Sequence, residues 1–227
     1  MITPDWENLV KIAIIGGTGP EGSGLGFRWA AAGHEVLIGS RQAEKGEQVA
    51  AELLAQRPDF EITGIDNVTA VSQADVAVLT VPYSAQAATL ESVKDGLRGK
   101  LLITVVAPTG EKKARVYRLE SGLSAAEEAQ QQLGDDVRVV AAFQNIGAHH
   151  LLDLDYQIDC DVLVCGEKAV DKAVAIQLAE EAGLRGVNAG SLQNASVVEG
   201  LTAVLIFVNI NQKVKDAGIR ITGLDDS

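Results

Sequence analysis

Lys11-Ile12-Ala13-Ile14-Ile15-Gly16-Gly17-Thr18-Gly19-Pro20-Glu21-Gly22-Ser23-Gly24 is the stretch that decides the fold. The apolar run Ile12 to Ile15 reads as a buried parallel strand. The glycines that follow, Gly17, Gly19 and Gly22, hold the spacing of a dinucleotide-binding turn that opens a helix. Gly17 allows the tight turn, Gly19 lets the backbone approach a pyrophosphate without a Cβ in the way, and Gly22 lets the helix pack close to the strand. The free N–H groups and the positive dipole end of that helix suit an anion. Glycine-rich turns are common, so the context matters. Here a strand precedes the turn, a helix Leu25 to Ala32 follows it, and a second strand Glu35 to Ile38 completes the unit.

Working outward, strand and helix patterns alternate through the first two thirds of the chain, which predicts a parallel sheet covered by helices on both faces. A helix is expected from about Glu44 to Gln56, with Val49, Leu53 and Leu54 along one face, and a short strand around Glu61 to Ile65. The apolar run Val76 to Val81 ends at Pro82, and the strand Leu101 to Val106 stops at Pro108. Ser124 and Glu127 form a capping box for the next helix, and Val137 to Phe143 gives another strand. From about Ile146 the rhythm changes to a loop with His149 and His150, a strand Asp161 to Cys165, a helix Lys168 to Ala182 and a last helix. Ser196 and Glu199 predict a second capping box at the head of that last helix, whose face carries Val197, Val198, Leu201, Leu205 and Val208. It is more apolar than a surface helix, so it is either buried in a small second domain or a dimer contact. The fold class is α/β: a Rossmann-type doubly wound parallel sheet over residues 1–145, with a smaller C-terminal α/β domain over residues 146–227.

Composition narrows the partners. The 227 residues carry 31 acidic against 19 basic side chains, a formal net charge of −12 that disfavours nucleic acid and anionic membrane surfaces. The two cysteines, Cys160 and Cys165, are too few for a disulfide scaffold and lack a second ligand pair, so buried thiols are expected and no metal site. Met1 to Leu9 is a polar lead-in without a signal pattern, and the apolar stretch Val197 to Ile210 reads as too short to span a bilayer. A reduced, cytoplasmic setting is the expectation.

An NAD enzyme of this architecture places a carboxylate at the end of the second strand, where it holds the ribose 2′-hydroxyl. This chain instead reads Gly39-Ser40-Arg41-Gln42-Ala43-Glu44-Lys45. A hydroxyl, a guanidinium and an amine suit a 2′-phosphate, which selects NADP. Thr80-Val81-Pro82-Tyr83 and Val106-Ala107-Pro108-Thr109, at the ends of the fourth and fifth strands, should line the nicotinamide crevice. No proton donor for a carbonyl or imine stands out there. His34 reads as structural, and His149 or His150 either orients a ligand or lies on the surface. Lys112, Lys113, Arg115 and Arg118 form the one basic cluster in an acidic chain, either a solvated face or a site for an anionic second ligand.

Several of these stretches together resemble one family, the F-420-dependent NADP reductases. They are Gly16-Gly17-Thr18-Gly19, Gly33-His34-Glu35-Val36, Gly39-Ser40-Arg41 with Lys45, and Ala77-Val78-Leu79-Thr80-Val81-Pro82-Tyr83. Asp161-Val162-Leu163-Val164-Cys165-Gly166 and Val198-Glu199-Gly200-Leu201-Thr202 complete the set. The resemblance covers nearly the whole chain beyond the polar lead-in. It implies direct hydride transfer between NADPH and the 8-hydroxy-5-deazaflavin coenzyme F-420, with no catalytic side chain, because the two cofactors carry the chemistry. It further implies that Gly17, Thr18, Gly19, Pro20 and Glu21 hold the pyrophosphate and that Ser40, Arg41 and Lys45 hold the 2′-phosphate. Tyr83, Ala87, Thr109 and Ala148 would line the nicotinamide half, and Val81, Pro82, Gln144 and Ile146 the deazaflavin. A homodimer is implied as well. The chain departs from relatives in having Gly147 where proline is frequent and Gln144 where some carry histidine.

Two other functions are compatible with the first domain. One is NADP-dependent reduction of a small imine or hydroxy acid, although Lys168 and Lys172 lack the glycine-rich helix on which hydroxy-acid enzymes carry a catalytic lysine. The other is a non-catalytic NADP-sensing module.

Overall fold

The structure is a computed structural model that describes residues 9–110 and 114–224. Its strands are β1 (Lys11–Ile15), β2 (Glu35–Ser40), β3 (Ile62–Asp66), β4 (Val76–Leu79), β5 (Leu101–Thr104), β6 (Arg138–Ala141), β7 (Asp161–Gly166) and β8 (Arg185–Asn188). Its helices are α1 (Pro20–Ala31), α2 (Ala43–Gln56), α3 (Asn67–Gln73), α4 (Tyr83–Leu97), α5 (Ala125–Leu133), α6 (Ala169–Glu181) and α7 (Ala195–Gln212), the last preceded by a 3-10 turn Leu192–Asn194. The strands form one eight-stranded sheet in the order β3-β2-β1-β4-β5-β6-β7-β8. Neighbours are parallel except β6 and β7, which run antiparallel.

Successive strand side chains point to opposite faces, which splits the core into two layers. On one face Ile12, Ile14, Val36, Ile38, Val76 and Val78 pack against Leu25, Phe27 and Trp29 of α1, Leu53 of α2 and Leu178 of α6. On the other, Ala13, Ile15, Leu37, Ala77 and Leu79 meet Val71 of α3, Leu90 and Val93 of α4, Ala129 and Leu133 of α5, and Val198 of α7. The order turns around at β1 and β4, whose carboxyl ends open the crevice where ligands of such sheets bind.

Three elements escape the periodicity. The buried face of α4 includes Gln86 and Thr89 beside Leu90, Val93 and Leu97, so its apolar stripe is diluted. The seven-residue α3 is too short to show a period, and the edge strand β8 is half exposed and holds one large apolar residue, Val187. The Ser124–Glu127 capping box forms as expected. The second does not. No side chain caps α7, Ser196 Oγ donates to the Gln193 carbonyl, and Glu199 turns away to cap α5 instead. The last helix is also longer than its apolar run suggests: with the 3-10 turn it covers Leu192–Gln212, 21 residues, long and apolar enough to cross a bilayer by length and composition. That corrects the expectation that it is too short.

A buried guanidinium joins the first helix to the second half of the chain. Arg28 of α1 donates through Nε to the Leu151 carbonyl, through Nη1 to that of Ala182, and through Nη2 to those of His150, Asp153 and Tyr156, at 2.7–3.2 Å. The loop after β6 is thereby wrapped around a side chain of the first helix. Beyond α7 the chain returns along β7, where Asp161 N–H donates to the Ile219 carbonyl and the Ile221 N–H donates to Asp161 Oδ2.

Candidate functional site

The turn after β1 is built from close backbone approaches. Gly17 N–H donates to the Gly39 carbonyl at the end of β2, and Gly16 N–H donates to Oδ1 of the buried Asn67 at the head of α3. A Cβ on Gly22 would lie 2.8 Å from Gly17 Cα and 2.7 Å from Thr80 Oγ1, so the helix can approach the turn this closely only with glycine there. Gly19 is the N-cap of α1 in extended conformation, Pro20 follows as the first helical residue, and no side chain caps the helix. The first-turn amides therefore remain available to an anion. A Cβ on Gly19 would meet nothing within 4 Å, so the space in front of the turn is open. Thr18 is exposed beside it, while Glu21 sits in the first turn, where burial pushes its carboxyl up to about 8. A raised pKa weakens the repulsion between that carboxyl and an anion at the helix head.

Next to this helix end lies a cavity of about 560 Å³ lined by Gly16, Thr18, Ser40, Arg41, Gln42, Lys45, Asn67, Val81, Pro82, Ala85 and Thr89. It thus gathers the turn, the end of β2 and the end of β4, as the sequence predicts. Ser40 is buried, and its Oγ accepts from the Gln42 N–H. Arg41 and Lys45 are exposed, and neither forms an ion pair among the described residues. Sequence reasoning missed Asn67, Ala85 and Thr89. A faint signal existed for Asn67, because Asp66, the last residue of β3, is a helix N-cap and Asn67 follows it directly.

Other expected residues fall elsewhere. Tyr83 opens α4, but its hydroxyl donates to Glu128 Oε2 at 2.7 Å, and burial with that carboxylate pushes it up to about 12. Ala87 lies on the α5 side of α4, its carbonyl accepting from Gln132 Nε2. Thr109 is exposed and bridges to Val116. Gln144 is buried where β5 and α7 meet: its Nε2 donates to the Thr104 carbonyl, and its own carbonyl accepts from Thr202 Oγ1. Ile146 is buried next to it and Ala148 half-buried. Lys112 and Lys113 lie outside the described residues; Arg115 and Arg118 are exposed.

A second cavity, of about 440 Å³, opens between the 116–124 segment and the head of α7, with Pro108, Arg118, Ser124, Ser196, Glu199 and Gly200 in its wall. Burial pushes the Glu199 carboxyl up to about 7, against the lowering effect of its hydrogen bonds from Ala125 and Ala126. The free thiols Cys160 and Cys165 are buried, and burial raises both, Cys165 to about 11, so neither is primed as a nucleophile. His34 is structural, its Nδ1 accepting from Val10 N–H and its Nε2 lying 2.8 Å from Glu181 Oε2.

Comparison with known proteins agrees with this geometry. The family model described as NADP oxidoreductase, coenzyme F-420-dependent, matches residues 11–108. The F-420-dependent NADP reductase of Methanothermobacter marburgensis is 45% identical over 225 residues, covering 96% of this chain and all of that one. The F-420-dependent NADP reductase of Methanocaldococcus jannaschii is 40% identical over 225 residues, covering 95% and 100%. Among solved structures, one from Arthrobacter sp. FB24 superposes with a TM-score of 0.80 over 94% of this chain and 99% of its own, at 22% identity, a likeness of fold.

Proposed function

This chain belongs to the F-420-dependent NADP reductase family, and from that premise we propose that it catalyses direct hydride transfer between NADPH and the 8-hydroxy-5-deazaflavin coenzyme F-420. The observation that carries the reading is the cavity running from the uncapped head of α1 to Arg41 and Lys45 on one side and to Val81 and Pro82 on the other. Its anion-binding features are a helix end and two cations that form no ion pair among the described residues, groups of the kind that suit a pyrophosphate and a 2′-phosphate. In direct hydride transfer of this kind the reacting carbons both belong to bound ring systems, so that the protein's part is to place one ring against the other.

Thr18 to Glu21 would hold the pyrophosphate, and Ser40, Arg41 and Lys45 the 2′-phosphate. Tyr83, Ala87, Thr109 and Ala148 would line the nicotinamide half, and Val81, Pro82, Gln144 and Ile146 the deazaflavin. Residues 146–227 would serve as the cleft and association segment. The basic cluster from Lys112 to Arg118 would meet the acidic tail of the deazaflavin. Support for a homodimer comes from α7, which leaves the large apolar side chains Val197, Phe207 and Ile210 66%, 55% and 68% exposed. A reducing, cytoplasmic setting is consistent with the two free thiols.

The test is turnover of purified protein with NADPH and the deazaflavin, followed by the visible absorbance of the oxidised deazaflavin, with NADH and riboflavin-type flavins as controls. Rapid NADPH-specific change is the expected result. Binding of NADPH with the deazaflavin left oxidised would overturn the proposal and bring forward reduction of a small imine or hydroxy acid.

A further inference from the structure

Away from the nucleotide cavity, three side chains of metal-ligating type converge on one point: His149 and His150 from the loop after β6, and Asp216 from the segment after α7. One ligand atom from each lies within 4.8 Å of the others. His150 Nε2 and Asp216 Oδ2 are already 3.2 Å apart. That equals, to within about 0.1–0.2 Å, the separation of two ligands on a tetrahedral ion with metal–ligand bonds of about 2.0–2.1 Å. His149 is exposed, and its ring packs edge-on against that of His150 with centroids 4.7 Å apart, which keeps the third ligand beside the other two.

The surroundings are more specific than a chance cluster of surface side chains. The His150 ring is held by Tyr156, stacked 3.7 Å away at 15°, and its backbone carbonyl is held by Arg28. Asp216 reaches into the space left by Gly147: a Cβ at Gly147 would meet Asp216 Oδ1 at 2.7 Å. That oxygen is buried and has no hydrogen-bond partner among the described residues. A carboxylate with one oxygen on an imidazole and the other desolvated and unpaired is short of positive charge.

We propose that His149, His150 and Asp216 form a binding site for a borderline divalent cation, of which zinc is the representative. Two imidazoles and one carboxylate favour zinc, cobalt or nickel over magnesium or calcium, which prefer oxygen ligands. Three protein ligands leave a fourth position open to water or a ligand. The ion joins the loop 147–150, immediately beyond Gln144 and Ile146, to the terminal segment that runs along β7. It acts as a staple between two segments that are held separately, the loop by Arg28 and the terminal segment by Asp161 of β7 through its N–H to the Ile219 carbonyl and its carboxylate to the Ile221 N–H. None of this depends on which acceptor the nucleotide cavity serves.

The experiment uses the full chain stripped with a chelator and titrated with Zn²⁺, Co²⁺ and Mg²⁺ in the absence of both cofactors. Expected are one Zn²⁺ per chain, visible Co²⁺ bands of tetrahedral intensity, no competition from equimolar Mg²⁺, and a melting temperature that rises with Zn²⁺. Removing a partner that merely orients a ligand costs about 10–100-fold in affinity, so His149→Ala, which deletes an exposed side chain, should weaken Zn²⁺ by at least that. Gly147→Ala, which pushes the Asp216 carboxylate aside and leaves all three ligands in the sequence, should also weaken it. Zn²⁺ binding of equal strength in wild type and His149→Ala, or no stoichiometric binding in the wild type, overturns the proposal.

Discussion

The carboxylate of Glu199 on α7 accepts hydrogen bonds from the backbone N–H groups of Ala125 and Ala126, the first two residues of α5, at 2.9 and 3.0 Å. A helix separated by some seventy residues is thus capped in trans, at the place where the second cavity meets the head of α7. Glu199→Ala leaves two buried amides without an acceptor, and a loss of about 1–3 kcal/mol is expected in chemical denaturation. Glu199→Gln, which keeps one acceptor oxygen, should lose less.

Burial of the same carboxylate sets a pH dependence. Burial raises the Glu199 carboxyl to about 7 from an ordinary 4.5, so between those values the folded chain holds a proton that the unfolded chain has released. Its contribution to stability is therefore full below about 4.5 and is lost as pH rises through about 7. Comparing denaturation midpoints of wild type and Glu199→Gln across pH 4.5–7.5 should show the wild type losing stability relative to the variant. An unchanged difference over that window would refute the assignment.

Arg41→Ala should raise the Michaelis constant for NADPH about 10–100-fold, the value of one lost charge-assisted hydrogen-bonding group, and leave that for NADH nearly unchanged. Steady-state kinetics with both nucleotides separates loss of 2′-phosphate recognition from general damage, which would weaken both.

Lys112, Lys113 and Arg115, replaced together by Ser, should raise the Michaelis constant for the deazaflavin and spare that for NADPH. An unaltered deazaflavin constant would remove the basic cluster from the site.

Arg28→Met should destabilise by at least about 3 kcal/mol, because five carbonyls that now share one guanidinium lose their donor in a buried setting. For a chain of this size the melting temperature should fall by on the order of 10 °C. Phe207→Glu, on the exposed side of α7, should leave the fold intact and convert a dimer to a monomer in sedimentation. A wild type that is already monomeric would rule out the association face.

What the sequence by itself determined is local. The β1 turn, the run of alternating strands and helices, the Ser124–Glu127 cap and the Ser-Arg-Lys cluster after β2 each rest on residues close in the chain, so their chemistry could be read off spacing alone. The helix α4 was hidden because it buries Gln86 and Thr89, polar groups whose partners come from elsewhere: Gln86 donates to the Ala125 carbonyl. Only the tertiary structure decided that Glu199 caps a different helix from its own, that Asn67 supports the glycine turn, that Tyr83 faces Glu128, and that Asp216 meets His150. Each of these is a pairing of one polar group with another across 45 to 74 residues or across two loops, and local periodicity carries no information about such partners. They are fixed by where the sheet order brings the strand ends together, and buried polar groups then take the partners that geometry leaves within reach.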